Sequence, residues 1–321
     1  MSIIIDRQNI EKIIANISVN EMIDDMEHAF VSYSKGNAIV PPVGELLFEN
    51  PKGETHIKYG YIKNDTTYCI KIASGFHENS ALGIPSSQGM MLLYSQKTGE
   101  PLAILLDDGL LTNIRTAAAG ALTAKYFAPK RIKGIGIIGT GIQAKLQLQF
   151  LCKNYPYSMV WVWGRTIENM QKFKSELASD FDIYIAATPS EVVNNCNLIV
   201  TTTPSETPIL YAHDIKPGTH ITAIGSDTPT KQELDCEILK KADIVISDSI
   251  SQSKSRGEIF QAVKTAVIPP DKVTELGNAI QNISFQRTNE NQISVVDLTG
   301  VAVQDIMIAN AIYLKYKQLK N

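Results

Sequence analysis

Cysteine is scarce in this sequence. There are four in 321 residues (Cys69, Cys152, Cys196 and Cys236), far apart and without a C-x-x-C pair. That spacing argues against a disulfide framework and against a structural zinc site, and suits buried, reduced thiols in a cytoplasmic protein. Histidine is as thin, with five scattered residues and no H-x-x-x-H, so no metal site is expected. No apolar run approaches the roughly 18 residues that a spanning helix needs, so no membrane partner is expected. The N-terminal Met1-Ser2-Ile3-Ile4-Ile5-Asp6-Arg7 places its charges after a short apolar stretch, the reverse of a secretory signal. Neither sign of charge dominates: 30 Lys and Arg against 33 Asp and Glu leave a net −3, which argues against nucleic acid as the main partner. Aromatics are only 7%, yet no polar tract is long enough to read as disordered.

What is present is apolar mass, 44% of the chain, enough for two cores or one large one. Residues 7–36 read as two short helices. The second is announced by Ser18 and Glu21 in capping-box spacing ahead of Met22, Met26 and Phe30 on one helical face. From Val40 to Leu106, after the Pro41-Pro42 break, short β-rich runs alternate with Gly, Asn, Asp and Ser turns, which predicts a mostly antiparallel sheet. Leu110–Phe127 is an alanine-rich helix ended by Pro129. Beyond it, near-continuous apolar runs at 134–138, 159–163, 182–186, 197–201, 220–224 and 243–246 are mostly separated by helical patterns such as Ile167–Leu177. This alternation indicates βαβ units and a parallel sheet covered on both faces. Gly300–Leu319 carries apolar residues at helical spacing and is expected to return to the first domain. The expected architecture is α/β: residues 126–299 form a doubly wound parallel sheet, and 1–125 with 300–321 form an α+β domain for substrate binding and dimerisation.

Gly139-Thr140-Gly141-Ile142-Gln143-Ala144 fits G-x-G-x-x-A between a strand-like and a helical run, the context of a Rossmann dinucleotide fingerprint. Gly139 permits the tight turn, Gly141 the approach of a pyrophosphate, and Ala144 close helix–strand packing, with helix N–H groups facing the phosphates. The next strand ends Trp163-Gly164-Arg165-Thr166, with no acidic residue to hold a ribose 2′-hydroxyl. Arg165 and Thr166 suit a 2′-phosphate, so NADP(H) is favoured within NAD(P)(H). Alternatively, Arg165 stacks on adenine and both cofactors bind.

Three further residues bear on chemistry. Arg115 lies inside a small-residue helix, where a cation needs solvent or an anion; it is a substrate-carboxylate ligand or half of a structural salt bridge. Lys71 sits in an apolar strand, either snorkelling to solvent or held in a dry pocket as a proton donor and acceptor. Asp227 follows Ala223-Ile224-Gly225-Ser226 at the carboxyl end of a strand, as a ligand for a substrate amine or as a turn residue before Thr228-Pro229.

Lys71 on its strand, Leu111-Thr112…Arg115-Thr116-Ala117-Ala118, the Gly139–Ala144 loop, Thr201-Thr202-Thr203-Pro204 and Gly225-Ser226-Asp227-Thr228-Pro229 leading to Glu233-Leu234-Asp235 occur in this order over residues 20–315. In this the chain resembles the ornithine cyclodeaminase/mu-crystallin family. The resemblance implies a homodimeric enzyme acting at an amino-acid or imino-acid Cα–N bond by hydride transfer through an imine. The leading expectation is an ornithine or related diamino-acid cyclodeaminase. The alternatives are an imine reductase or amino-acid dehydrogenase of the same family, or a non-catalytic NADPH-binding crystallin-like protein. It gives Arg115 the α-carboxylate, Lys71 carboxylate binding or proton transfer, and Asp227 the amine or attacking nucleophile. Thr116 joins the cofactor-binding set, with Thr202, Thr203 and Pro204 near the nicotinamide ribose. Two departures stand out. Val43 follows Pro41-Pro42 where family members often have arginine, and His56 stands where cyclodeaminases carry a glutamate. Lys58, on the face of His56, is expected to replace the missing cation, unless both face solvent.

Overall fold

The computed structural model describes residues 2–155 and 159–320. In chain order the elements are β1 (Ile3–Ile5), α1 (Arg7–Ile14), α2 (Val19–Ser34), β2 (Ala38–Ile39), β3 (Gly44–Phe48), β4 (Gly53–Ile62), β5 (Thr67–Gly75), β6 (Ser87–Ser95), β7 (Pro101–Leu105) and α3 (Leu110–Phe127). There follow β8 (Ile135–Ile138), α4 (Ile142–Asn154), β9 (Met159–Trp163), α5 (Ile167–Leu177), β10 (Asp182–Ile185), α6 (Pro189–Asn195), β11 (Leu198–Thr201), β12 (His220–Ala223), α7 (Cys236–Lys241) and β13 (Ile244–Ser247). The chain closes with α8 (Glu258–Lys264), β14 (Val273–Glu275), α9 (Leu276–Gln281), β15 (Ser294–Asp297) and α10 (Ala302–Lys320). They divide into two compact units, Met1–Arg115 with Val301–Asn321, and Thr116–Gly300. The division falls within α3, as the helix continues from Arg115 into Thr116.

The first unit is built on a seven-stranded sheet in the order β1-β7-β6-β5-β4-β2, with β3 also on β4. Every pairing is antiparallel except β1 with β7, so the short N-terminal Ile3–Ile5 run is an edge strand. Strand alternation puts His56 and Lys58 of β4, Cys69 and Lys71 of β5, Met91 and Leu93 of β6 and Leu105 of β7 on the buried side. Helix α10 covers β4, β5 and β6 and packs on α1 and α2. The other side leaves Ile4, Tyr59, Tyr61 and Met90 exposed. Helix α2 starts at a capping box: Ser18 Oγ accepts from Glu21 N (3.1 Å), and Glu21 Oε2 accepts from Ser18 N (2.8 Å).

The second unit holds an eight-stranded, wholly parallel sheet in the order β10-β9-β8-β11-β12-β15-β13-β14. Its inner strands β8, β11, β12, β13 and β15 are buried at every residue, as a sheet covered on both faces requires. Strand β15 lies between β12 and β13 and follows a polar stretch. Four residues, Ser294-Val295-Val296-Asp297, are too short an apolar signal to stand out beside it. All four cysteines are free, and among the described residues no helix is long and apolar enough to cross a membrane.

Replacing Ser18 by alanine removes half of the capping box and is expected to cost about 1 kcal/mol. A lower denaturant midpoint with unchanged slope in chemical unfolding checks it.

Candidate active site

In the first unit the β4–β5 register sets Lys58 directly opposite Lys71, and alternation sends both inward with His56. Lys71 is 2% exposed, so its strand position is not a snorkelling one. Its Nζ donates to Asp305 Oδ1 at 2.9 Å and lies 2.9 Å from Oδ2. Arg115, from the first turns of α3, donates Nε to the same Oδ1 at 3.1 Å and Nη1 to Gln304 Oε1 at 3.2 Å. Gln304 Oε1 also accepts from Val301 N at 2.9 Å, which ties the guanidinium to the start of α10. One buried carboxylate therefore faces two hydrogen-bonded cations, with the Lys58 charge close enough to act on it.

The electrostatics follow from that count. Burial alone would raise the Asp305 carboxyl, but Lys71, Arg115 and Lys58 outweigh it and hold the group below its ordinary 3.8. Burial, and then the Arg115 cation, lower the Lys71 ammonium against the pull of Asp305. Lys71 is thus eased toward giving up its proton while Asp305 stays ionised. His56 does not face solvent: its Nε2 meets Glu45 Oε1 of β3 at 2.9 Å, the cross-strand partner of His56. A carboxylate does lie at this place, then, but it comes from the neighbouring strand. Asp107 at the start of α3 accepts from Leu111 N at 2.8 Å, and burial pushes it up to about 6.

In the second unit the Gly139–Ala144 loop joins β8 to α4. Gly139 has φ 119°, and a Cβ there would collide with Thr202 Oγ1. Gly141 caps α4 with no side-chain capping bond, and a Cβ on it would meet nothing within 4 Å. Open space before the uncapped N–H groups of a 13-residue helix fits a dinucleotide pyrophosphate. Ala144 is fully buried, whereas Ile142 is exposed and Gln143 half-buried. Thr140 packs its methyl near Gly164, and the carbonyl of Thr116 accepts from Gln147 Nε2 at 2.9 Å. Arg165 and Thr166, at the end of β9, are exposed. Thr202 N and Oγ1 both donate to Ile138 O, at 2.8 and 3.1 Å, and Pro204 is exposed beyond Thr203.

Asp227 follows β12 and pairs through Oδ1 with Lys231 Nζ at 2.7 Å. The same unit holds buried carboxylates that sequence reasoning passed over as site residues. Glu233 accepts from Thr201, Thr203 and Gly225. Glu258 accepts from the N–H groups of Glu233 (2.7 Å) and Leu234 (3.1 Å), and Asp297 from Ile259 N at 2.9 Å. Burial pushes Glu233 up to about 7 against its donors. Burial also raises Glu258 and Asp297 well above the usual range, with neighbouring carboxylates adding to the rise. The first unit thus gathers His56, Lys58, Lys71 and Arg115, and the second holds the loop residues and Asp227. Asp305 was also missed, although one signal for it exists: a lone acid in the apolar stretch Val301–Ile312 suits a buried lysine that needs a counter-charge.

Residues 6–320 match the model of the ornithine cyclodeaminase/mu-crystallin family. The chain belongs to that family. Its members are NAD(P)-dependent imine or amino-acid reductases and cyclodeaminases. An uncharacterised cyclodeaminase of Sinorhizobium fredii is 37% identical over 91% of this chain and 89% of its own. An archaeal alanine dehydrogenase, solved as a dimer with bound NAD, superposes with a TM-score of 0.91 at 33% identity, over 100% of this chain and 97% of that one. The Thermococcus litoralis Δ1-pyrroline-2-carboxylate reductase, solved with NADH and L-proline, does so at 0.92 and 28% identity, over 99% and 98%.

Asp305→Asn leaves two buried cations without their counter-charge, and the expected cost is about 3–5 kcal/mol, read by denaturant unfolding. Because the carboxyl is held below 3.8, the stabilisation is present above that value and is lost as pH falls through the folded-state value. The difference between wild type and variant should therefore shrink in acid.

Proposed function

We propose that this protein is an NAD(P)-dependent imine reductase or amino-acid dehydrogenase for a small substrate. The supporting observation is the buried cluster of Lys58, Lys71 and Arg115 around the one carboxylate of Asp305. Two buried cations, Lys71 and Arg115, sharing the Asp305 carboxylate suit a substrate carboxylate better than the side-chain ammonium of a diamino acid. The similarity to an alanine dehydrogenase and a pyrroline-carboxylate reductase supports the same choice.

In this reading Asp305 and Gln304 fix the guanidinium plane of Arg115, and its outer edge takes the α-carboxylate. Lys71 gives a proton to the nitrogen as the C=N bond is reduced, or receives it in the reverse direction. Asp227 holds the substrate amine, and Lys231 is its ion-pair partner. The bound nicotinamide supplies the hydride donor or acceptor. Gly139, Gly141 and the first turn of α4 hold its pyrophosphate, and Arg165 with Thr166 hold a 2′-phosphate, which makes NADP(H) the preferred cofactor. The exposed apolar side of the first unit's sheet, with Tyr59, Tyr61 and Met90, suits burial against a second copy, as the dimeric alanine dehydrogenase also suggests.

A second reading is a cyclodeaminase. Glu45 beside His56 favours it, because it puts a carboxylate next to the strand position where cyclodeaminases carry glutamate.

Incubation with small imino acids and diamino acids, following ammonia and cofactor absorbance together, tests the choice. Stoichiometric loss of NAD(P)H with an imino acid is expected. Ammonia release from a diamino acid without net absorbance change would overturn the first reading in favour of the second. Nucleotide binding with no turnover would overturn both. Arg165→Ala is expected to raise the KM for NADPH about tenfold or more and leave that for NADH nearly unchanged.

A further inference from the structure

We infer that Glu233 is a positioning residue for the nicotinamide nucleotide, locking the Thr203 and Gly225 segments onto one carboxylate. This rests on the cofactor reading of the Gly139–Ala144 loop.

The two oxygens of Glu233 are used in the same way. Oε1 accepts from Thr203 N at 2.5 Å and Thr203 Oγ1 at 2.8 Å. Oε2 accepts from Gly225 N at 2.8 Å and Thr201 Oγ1 at 2.7 Å. Each oxygen thus takes one backbone N–H and one hydroxyl. The side chain is fully buried, so its two oxygens have no water to fall back on and depend on these four donors. Its own backbone is fixed in turn, since Glu258 accepts from Glu233 N at 2.7 Å and the carbonyl of Glu233 accepts from Ile209 N at 2.7 Å.

The two segments held this way lie at the carboxyl ends of β11 and β12, where open α/β sheets bind their ligands. They also touch: a Cβ at Gly225 would lie 2.6 Å from Thr203 N and 2.7 Å from the Glu233 carboxyl carbon. Thr202, one residue before Thr203, bonds Ile138 and fills the space beside Gly139. Asp227 is two residues beyond Gly225. Turn, threonine segment and Asp227 segment are therefore connected, and Glu233 is the point where two of them meet.

The symmetry of the bonding makes glutamine a sharp probe. Whichever way the Glu233→Gln amide is turned, its NH2 faces a backbone N–H, so one segment must move. Thr201→Val is a milder probe, taking one hydroxyl from Oε2 while keeping the side-chain shape.

The test is titration of the full-length protein with NADPH and NADH, followed by nucleotide fluorescence. It is run at about pH 8, where Glu233, pushed up to about 7, is ionised. Wild type is expected to bind. Glu233→Gln should weaken binding of both nucleotides about tenfold or more, and Thr201→Val severalfold. At saturating nucleotide, the emission of the bound ring in Glu233→Gln should shift toward that of free nucleotide, a change that lowered stability alone would not produce. If wild type binds and Thr201→Val and any folded Glu233→Gln match it in affinity and emission, the inference is overturned while the cofactor reading stands. If wild type binds neither nucleotide, the cofactor reading fails and takes the inference with it.

Discussion

A buried lysine is tolerable only beside a counter-charge, and in the first unit that charge is Asp305. Its carboxylate meets Lys71 from the middle of β5 and Arg115 from α3, while Lys58 on the opposing strand adds its field. Without it, two buried cations would lose the carboxylate that both of them bond. With it, both cations are held in place, and α10 is tied to the sheet by charge as well as by packing. The polarity needed to attract a substrate carboxylate and the attachment of the last helix are one arrangement.

The second unit solves a different problem with the same chemical means. A parallel sheet leaves irregular segments at the carboxyl ends of its strands, each with backbone N–H groups to satisfy. Here buried carboxylates take them: Glu233 for Thr203 and Gly225, Glu258 for Glu233 and Leu234, Asp297 for Ile259, and Asp248 for Gly300. Burial and mutual repulsion raise several of these acids, which is the cost of holding loops rigid where a ligand is to be received.

Features whose causes are local were legible in the sequence. Ser18 and Glu21 lie three residues apart and cap α2 as their spacing implies. The span of α5 and that of β9 follow from periodicity, and the Gly139 turn follows from glycine spacing in a strand–helix context. Lys71 and Arg115 drew attention because a charge among apolar residues demands a reason. Their common partner did not, since Asp305 is 234 residues from Lys71 in the chain and nothing local pairs them. Glu233 was visible as part of a motif, but its bonds reach Thr201 and Thr203, 30 or more residues back. Strand β15 was hidden by its brevity and its polar approach.

The position of β15 has a consequence for synthesis. Among the described residues it is the strand that joins the five strands ending at β12 to the pair β13-β14, and it is made of residues 294–297. Asp305 emerges from the ribosome only a few residues later. A nascent chain that has not reached this point carries two open sheet edges and two uncompensated cations. Neither unit can close until residues 294–305 have been made, so every earlier strand of both sheets waits on this late segment and is exposed meanwhile to chaperones and proteases.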